Sequence, residues 1–249
     1  MLQVEHLTKR FKSDNGTVQT VLDDVSCAVR PGEAVAIVGR SGSGKTTLIK
    51  AIAGFTSVDE GRIIFGGKDI TYADGRARRA VYKDMQMVFQ SPAASFDARL
   101  TLGSSIGEHL RNLGVKKAER TELVKNLLEQ CGLPPEFISR YPHEISGGQC
   151  QRAAIARALT AEPKLLLCDE ATSALDVTTQ AQIISLLDRL KHERGMAILF
   201  VCHNLAVAQS FCDRIIVMHG GAIAESGTAD AVINNPQSEY TKQLIEAVL

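Results

Sequence analysis

An α/β fold built on a central parallel sheet is what this sequence predicts, and three observations carry the prediction. Short apolar runs at 34–38, 165–168, 197–202 and 215–218 lack polar alternation, the pattern of strands covered on both faces. Between and after them lie helical patterns, in which Leu123, Val124, Leu127, Leu128 and Cys131 share one face and Ile183, Ile184, Leu187 and Leu190 another. Strand and helix signals therefore alternate along the chain, as in layered α/β domains.

The opening segment reads differently. Strand candidates at 4–7, 18–22, 26–29 and 62–65 are separated by turn residues, among them Asn15-Gly16 and Pro31-Gly32, which predicts a small antiparallel sheet beside the core. Residues 47–53 read as helix. From about 91 to 160 the strand signal vanishes and helix dominates, with a break at Gly132-Leu133-Pro134-Pro135. The expectation is one domain over 1–249, with 1–90 and 161–249 as its core and 91–160 as a helical insertion; 249 residues suffice to bury such a core.

Composition narrows the partners. Lys plus Arg and Asp plus Glu each total 28, so bulk charge points neither to nucleic acid nor to a basic membrane-surface protein. The N-terminal residues hold no apolar core of signal-peptide length, and no stretch approaches the ~20 apolar residues of a spanning helix, so a cytosolic chain is expected. Cys27, Cys131, Cys150, Cys168, Cys202 and Cys212 form no C-x-x-C or Cys/His cluster and read as reduced, mostly packing residues.

The chemistry concentrates after two of the apolar runs. Gly39-Arg40-Ser41-Gly42-Ser43-Gly44-Lys45-Thr46 fits G-x-x-x-x-G-K-[ST], follows an apolar run and opens the helix that starts with Thr47. Its glycines let backbone N–H groups converge on phosphate oxygens, and the helix N-terminus adds its positive dipole end. Lys45 is expected to reach the β- and γ-phosphates and Thr46 to ligate Mg²⁺. The run at 165–168 ends in Asp169 and Glu170: Asp169 is expected to hold Mg²⁺ through water and Glu170 to polarise the attacking water as general base. These two motifs define P-loop NTPases in general.

A third motif narrows the class. Ile145-Ser146-Gly147-Gly148-Gln149-Cys150-Gln151-Arg152 resembles the LSGGQ signature of ABC ATPases, and physically it is a second phosphate-binding helix start. The resemblance implies an ABC-type P-loop core with an antiparallel subdomain and a helical subdomain carrying the signature. It also implies a head-to-tail dimer in which Ser146, Gly147, Gly148 and Gln149 close over ATP held by the partner's phosphate loop. Further elements follow in the family's order. Gln90 resembles the Q-loop glutamine that senses Mg²⁺, Ser173-Ala174-Leu175-Asp176 the D-loop, His203 the switch histidine that contacts the γ-phosphate, and Phe11 the aromatic that stacks on adenine. Four positions depart from the pattern: Ile145, Cys150, Ala171 after Glu170, and Asn204 after His203. None removes a catalytic group. Ala171 is expected to loosen the turn that fixes Glu170; Cys150, near a helix start, reads first as a small tolerated residue, with nucleotide-protected alkylation as the less favoured alternative.

The segments at 90–99 and 141–144, and Ser238-Glu239-Tyr240-Thr241-Lys242-Gln243-Leu244, resemble the ATPases of peptide and nickel importers. The chain stops soon after the last of these, which fits a short nickel- or metallophore-type member better than a long peptide-type one. Implied partners are transmembrane permease subunits, a second ATPase (this chain or a sister) and, indirectly, an extracytoplasmic solute-binding protein. The expected location is the cytoplasmic face of the inner membrane. The alternative is an accessory ATPase in a soluble assembly such as carbon-phosphorus lyase.

Overall fold

The computed structural model describes residues 1–12, 16–172 and 175–247. In chain order come β1 (Leu2–Lys12), β2 (Val18–Val29), β3 (Ala34–Val38), α1 (Lys45–Ala53), β4 (Glu60–Phe65), β5 (Lys68–Asp69), α2 (Gly75–Asp84) and β6 (Met85–Val88). Then α3 (Leu102–Ile106), α4 (Glu108–Asn112), α5 (Lys117–Gln130) and α6 (Gly147–Leu159) follow without a strand between them. The chain continues through β7 (Leu165–Asp169), α7 (Val177–Arg194), β8 (Ala197–Val201), α8 (Leu205–Phe211), β9 (Arg214–His219), β10 (Ala222–Thr228), α9 (Ala229–Asn234) and α10 (Glu239–Glu246).

The strands make two sheets. One is antiparallel, ordered β2-β1-β4-β5; the other is ordered β10-β9-β3-β8-β7-β6 and is parallel except for β10, which pairs antiparallel with β9. Every residue of β3, β7 and β8 is buried. Their unbroken apolar runs are split by the pleat between two cores. Ala34, Ala36, Val38, Leu166, Cys168, Ile198 and Phe200 face one core, while Val35, Ile37, Leu165, Leu167, Leu199 and Val201 face the other. The first core continues into the helical stretch through Leu102, Ile106, Val124, Leu128 and Ala153. The second packs α1 and the antiparallel sheet against the opposite face.

Three elements differ from the sequence reading. The strand candidates at 18–22 and 26–29 are one strand, β2. Its register against β1 slips between Leu7↔Val25 and Lys9↔Leu22, with His6 and Asp24 both at positive φ and the His6 N–H donating to Ser26 Oγ at 2.8 Å. The charged Asp23-Asp24 pair marks a bulge where its polarity reads as a turn. Helix α2 buries none of its residues, so no apolar stripe announces it. Strand β10 alternates half-buried and exposed positions at the sheet edge and carries little apolar signal. On the expected α5 face, Val124, Leu128 and Cys131 are buried, whereas Leu123 is exposed. Asn15 lies outside the described residues.

Candidate nucleotide site

The expected residues of the phosphate site lie at the carboxyl ends of the parallel strands, where open α/β sheets place their ligands. The loop after β3 turns back into α1 with Gly39, Gly42 and Gly44 all at positive φ. At Gly44, φ is 100° and a Cβ would fall 2.7 Å from the Val21 carbonyl oxygen. At Gly39 it would collide with the Met218 carbonyl. Glycine is therefore required at both positions, because the loop is wedged between β2 and the end of β9. The cleft over the loop is lined by Val21, Ser41, Lys45, Thr46, Thr47 and Glu170, with Gly42 and Gly44 in its floor.

Lys45 is buried, and its Nζ donates to the carbonyls of Gly39 at 2.8 Å and Arg40 at 2.9 Å. Burial lowers its pKa, a shift opposed by the nearby Glu170, Cys202 and Asp169. Thr46 Oγ1 donates to Asp169 Oδ1 at 3.2 Å, joining the start of α1 to the end of β7. Asp169 is itself only 4% exposed; burial raises its pKa, against the opposing pull of the Thr46 hydroxyl and Lys50. Ser43 Oγ is buried and makes no hydrogen bond among the described residues.

Glu170 follows at φ 48°, a left-handed conformation rare for a glutamate, and its N–H donates to the Val201 carbonyl at 3.1 Å. Its Oε2 accepts a hydrogen bond from Gln90 Nε2 at 2.7 Å, so the residue after β6 touches the carboxylate after β7. Gln90 also lines a cavity with Thr46, Lys50 and Asp169. His203 is exposed just beyond β8, which lies between β3 and β7. Next to it, Asn204 accepts the N–H groups of Ala206 and Val207, so this departure from the family pattern is a good cap for α8. Phe11 is 45% exposed, lies opposite Gln19 on β2 and has Lys9 Nζ 5.1 Å from its ring centre.

The signature residues lie elsewhere. Ser146 caps α6 by accepting the Gln149 N–H, while the Gln149 side chain accepts the Ser146 N–H at 2.9 Å. Gly148 packs so tightly on Thr179 that a Cβ would overlap it. Thr179 in turn donates from its N–H, at 3.0 Å, and its hydroxyl, at 2.7 Å, to Asp176, the cap of α7. Ser146, Gly147, Gly148, Gln149 and Asp176 thus form a second cluster, none of which lines the phosphate cleft. Ser173 and Ala174 of the D-loop lie outside the described residues.

Cys150 is buried and desolvation pushes its thiol up to about 11, which supports the favoured reading of a small packing residue over the reactive thiol weighed against it. Two site residues escape the sequence reading. Lys50 stands one helical turn beyond Thr46 on the face of α1 turned to Asp169, a spacing that could have found it. Val21 lines the cleft from β2, whose approach to the loop at Gly44 carries no signal in the sequence.

Fold and site together define a P-loop nucleotide-binding ATPase with a separate signature helix. The family model described as "ABC transporter" matches residues 22–173. Over 259 aligned residues the chain is 45% identical to the oligopeptide transport ATP-binding protein OppF of Escherichia coli K12, covering 100% of this chain and 77% of that protein. A putative peptide import ATP-binding protein of Brucella ovis is 42% identical over 249 residues, 100% of this chain and 78% of its own length. Among solved structures, the dimeric ATP-binding cassette MJ0796 bound to ADP and Pi superposes with a TM-score of 0.82 at 29% identity, covering 92% of this chain and 99% of that one. CbiO1 from Clostridium perfringens, part of the transporter complex cbiONQ, gives 0.83 at 29% identity over 94% and 90%. The chain belongs to the ABC transporter family, as an ATP-binding and ATP-hydrolysing subunit.

Proposed function

We propose that Glu170 is the general base of ATP hydrolysis at a site built from the phosphate loop, Thr46, Asp169, Gln90 and His203. The observation that carries this reading is the hydrogen-bonded pair Gln90–Glu170, at the mouths of adjacent strands, beside the part-buried Thr46–Asp169 pair. A water attacking the γ-phosphorus gives its proton to the Glu170 carboxylate as ADP leaves; the loop N–H groups and Lys45 stabilise the charge on the phosphates. Thr46 and Asp169 are the oxygen donors that suit Mg²⁺. Among the described residues no cluster of three or more His, Cys, Asp or Glu could cage a metal, which fits a cation completed by phosphate oxygens and water.

The remote signature cluster supports a head-to-tail dimer in which the Ser146 helix start of one subunit covers the nucleotide of the other. In this reading residues 91–160 act as the signature-bearing helical subdomain and 1–90 with 161–249 as the nucleotide-binding core. Relatives named for peptide transport favour a peptide-type solute over the nickel- or metallophore-type one, moved by permease subunits. Among the described residues no helix is long and apolar enough to cross a membrane, in keeping with peripheral attachment to such subunits at the cytoplasmic face.

Glu170→Gln tests the proposal. It keeps size and hydrogen-bonding reach, so phosphate release should fall by about 10²- to 10⁴-fold while Mg-ATP still binds and holds the dimer on size-exclusion chromatography. Near-normal phosphate release would remove Glu170 from the role of base and turn attention to His203.

A further inference from the structure

We propose that Tyr240, on the C-terminal helix α10, is a positioning residue for nucleotide binding, fixing the Gly39–Arg40 peptide and through it the Lys45 ammonium. The proposal rests on the nucleotide-site reading above. The Arg40 N–H donates to the Tyr240 hydroxyl at 3.2 Å, and the carbonyl of the same peptide unit, that of Gly39, accepts Lys45 Nζ at 2.8 Å. A peptide unit is planar, so its two ends cannot turn independently. Holding the N–H therefore sets where the carbonyl points, and the carbonyl sets where Lys45 lies.

The ring and the helix that carry the hydroxyl are held from several directions. The Tyr240 ring packs on His219 with centroids 3.9 Å apart and planes 30° apart. His219 closes β9, one residue beyond Met218, whose carbonyl abuts Gly39. At the start of α10, Glu225 of β10 accepts the N–H groups of Gln237 at 2.9 Å and Ser238 at 3.0 Å. Thr241 and Leu244 bury the inner face of the helix. A rigid helix thus presents one phenol oxygen to the loop's opening peptide, which is how a supporting group pre-organises a binding loop.

Without the hydroxyl, water can satisfy the exposed Arg40 N–H, and the peptide is free to rotate. The fraction of loops ready for phosphate then falls, and apparent affinity falls with it. Tyr240→Phe keeps the ring and its packing and removes only the oxygen. Isothermal titration should show the Mg-ATP Kd raised about three- to tenfold, with an unchanged thermal midpoint and with faster hydrogen exchange at the Arg40 amide. Wild-type affinity in Tyr240→Phe would overturn the proposal and leave α10 as packing, and so would an affinity loss accompanied by a lowered midpoint. Lys45→Ala, titrated beside it, separates the two levels. If Lys45→Ala binds Mg-ATP normally the site reading itself fails; if it does not bind while Tyr240→Phe binds normally, only the tyrosine's role fails.

Discussion

Cysteine shows what burial does to single side chains in this protein. Among the free thiols, burial pushes Cys27, Cys131 and Cys202 up to about 12 and Cys150 to about 11, and raises Cys168 and Cys212 as well. Folded-state values above the ordinary 9.0 mean that their contribution to stability is complete below that pH. It is lost as pH rises, because the unfolded chain sheds thiol protons that the folded one keeps. Thermal midpoints measured from pH 7.5 upward should therefore decline beyond pH 9, and Cys150 should resist alkylation at neutral pH with or without ATP, as read by mass spectrometry. The grouping of Lys45, Thr46, Asp169 and Glu170 at one end of the sheet is legible in the sequence because motif spacing after the apolar runs carries it. The Gln90–Glu170 bond and the Tyr240 hydroxyl are not, because each joins residues 80 or more positions apart through geometry that only the folded sheet supplies.

Arg157 of the signature helix shows how one element fastens another. Its guanidinium donates to the Ser95 carbonyl at 2.6 Å and hydroxyl at 2.8 Å, and sits 4.3 Å from the Phe96 ring centre, tying α6 to the segment that follows Gln90. A lysine cannot make the fork and the stack together. Arg157→Lys should lower the melting temperature by roughly 2–6 °C, and a midpoint equal to wild type would show that the tie contributes nothing. At this scale the sequence is readable wherever an element buries a face. β3, β7, β8, α6 and α7 announce themselves through apolar runs or stripes, whereas α2 and β10 bury no residue fully, and the β2 bulge hides behind Asp24, whose carboxylate pairs with His6 and whose N–H donates to Thr8 Oγ1 across the ladder instead of ending the strand.

Across the whole molecule, the phosphate loop and the Ser146 helix start line no common cleft among the described residues. Ser146→Asp tests whether they meet across a dimer: aspartate caps a helix as well as serine does, so α6 should keep its start, while a carboxylate repels the partner's phosphates. Combined with Glu170→Gln, it should abolish the ATP-held dimer on size-exclusion chromatography and leave monomer Mg-ATP binding intact; a surviving dimer would place the interface elsewhere. The strand order adds a constraint of a different kind. β3 pairs with β8 and β9, both made long after it, and carries five apolar residues. On a ribosome adding about 5–20 residues per second, those residues wait on the order of ten seconds for their partners. The strand that bears the phosphate loop is thus the one most exposed to misassembly during synthesis, and chains released before β9 should need a holding chaperone to stay out of aggregates.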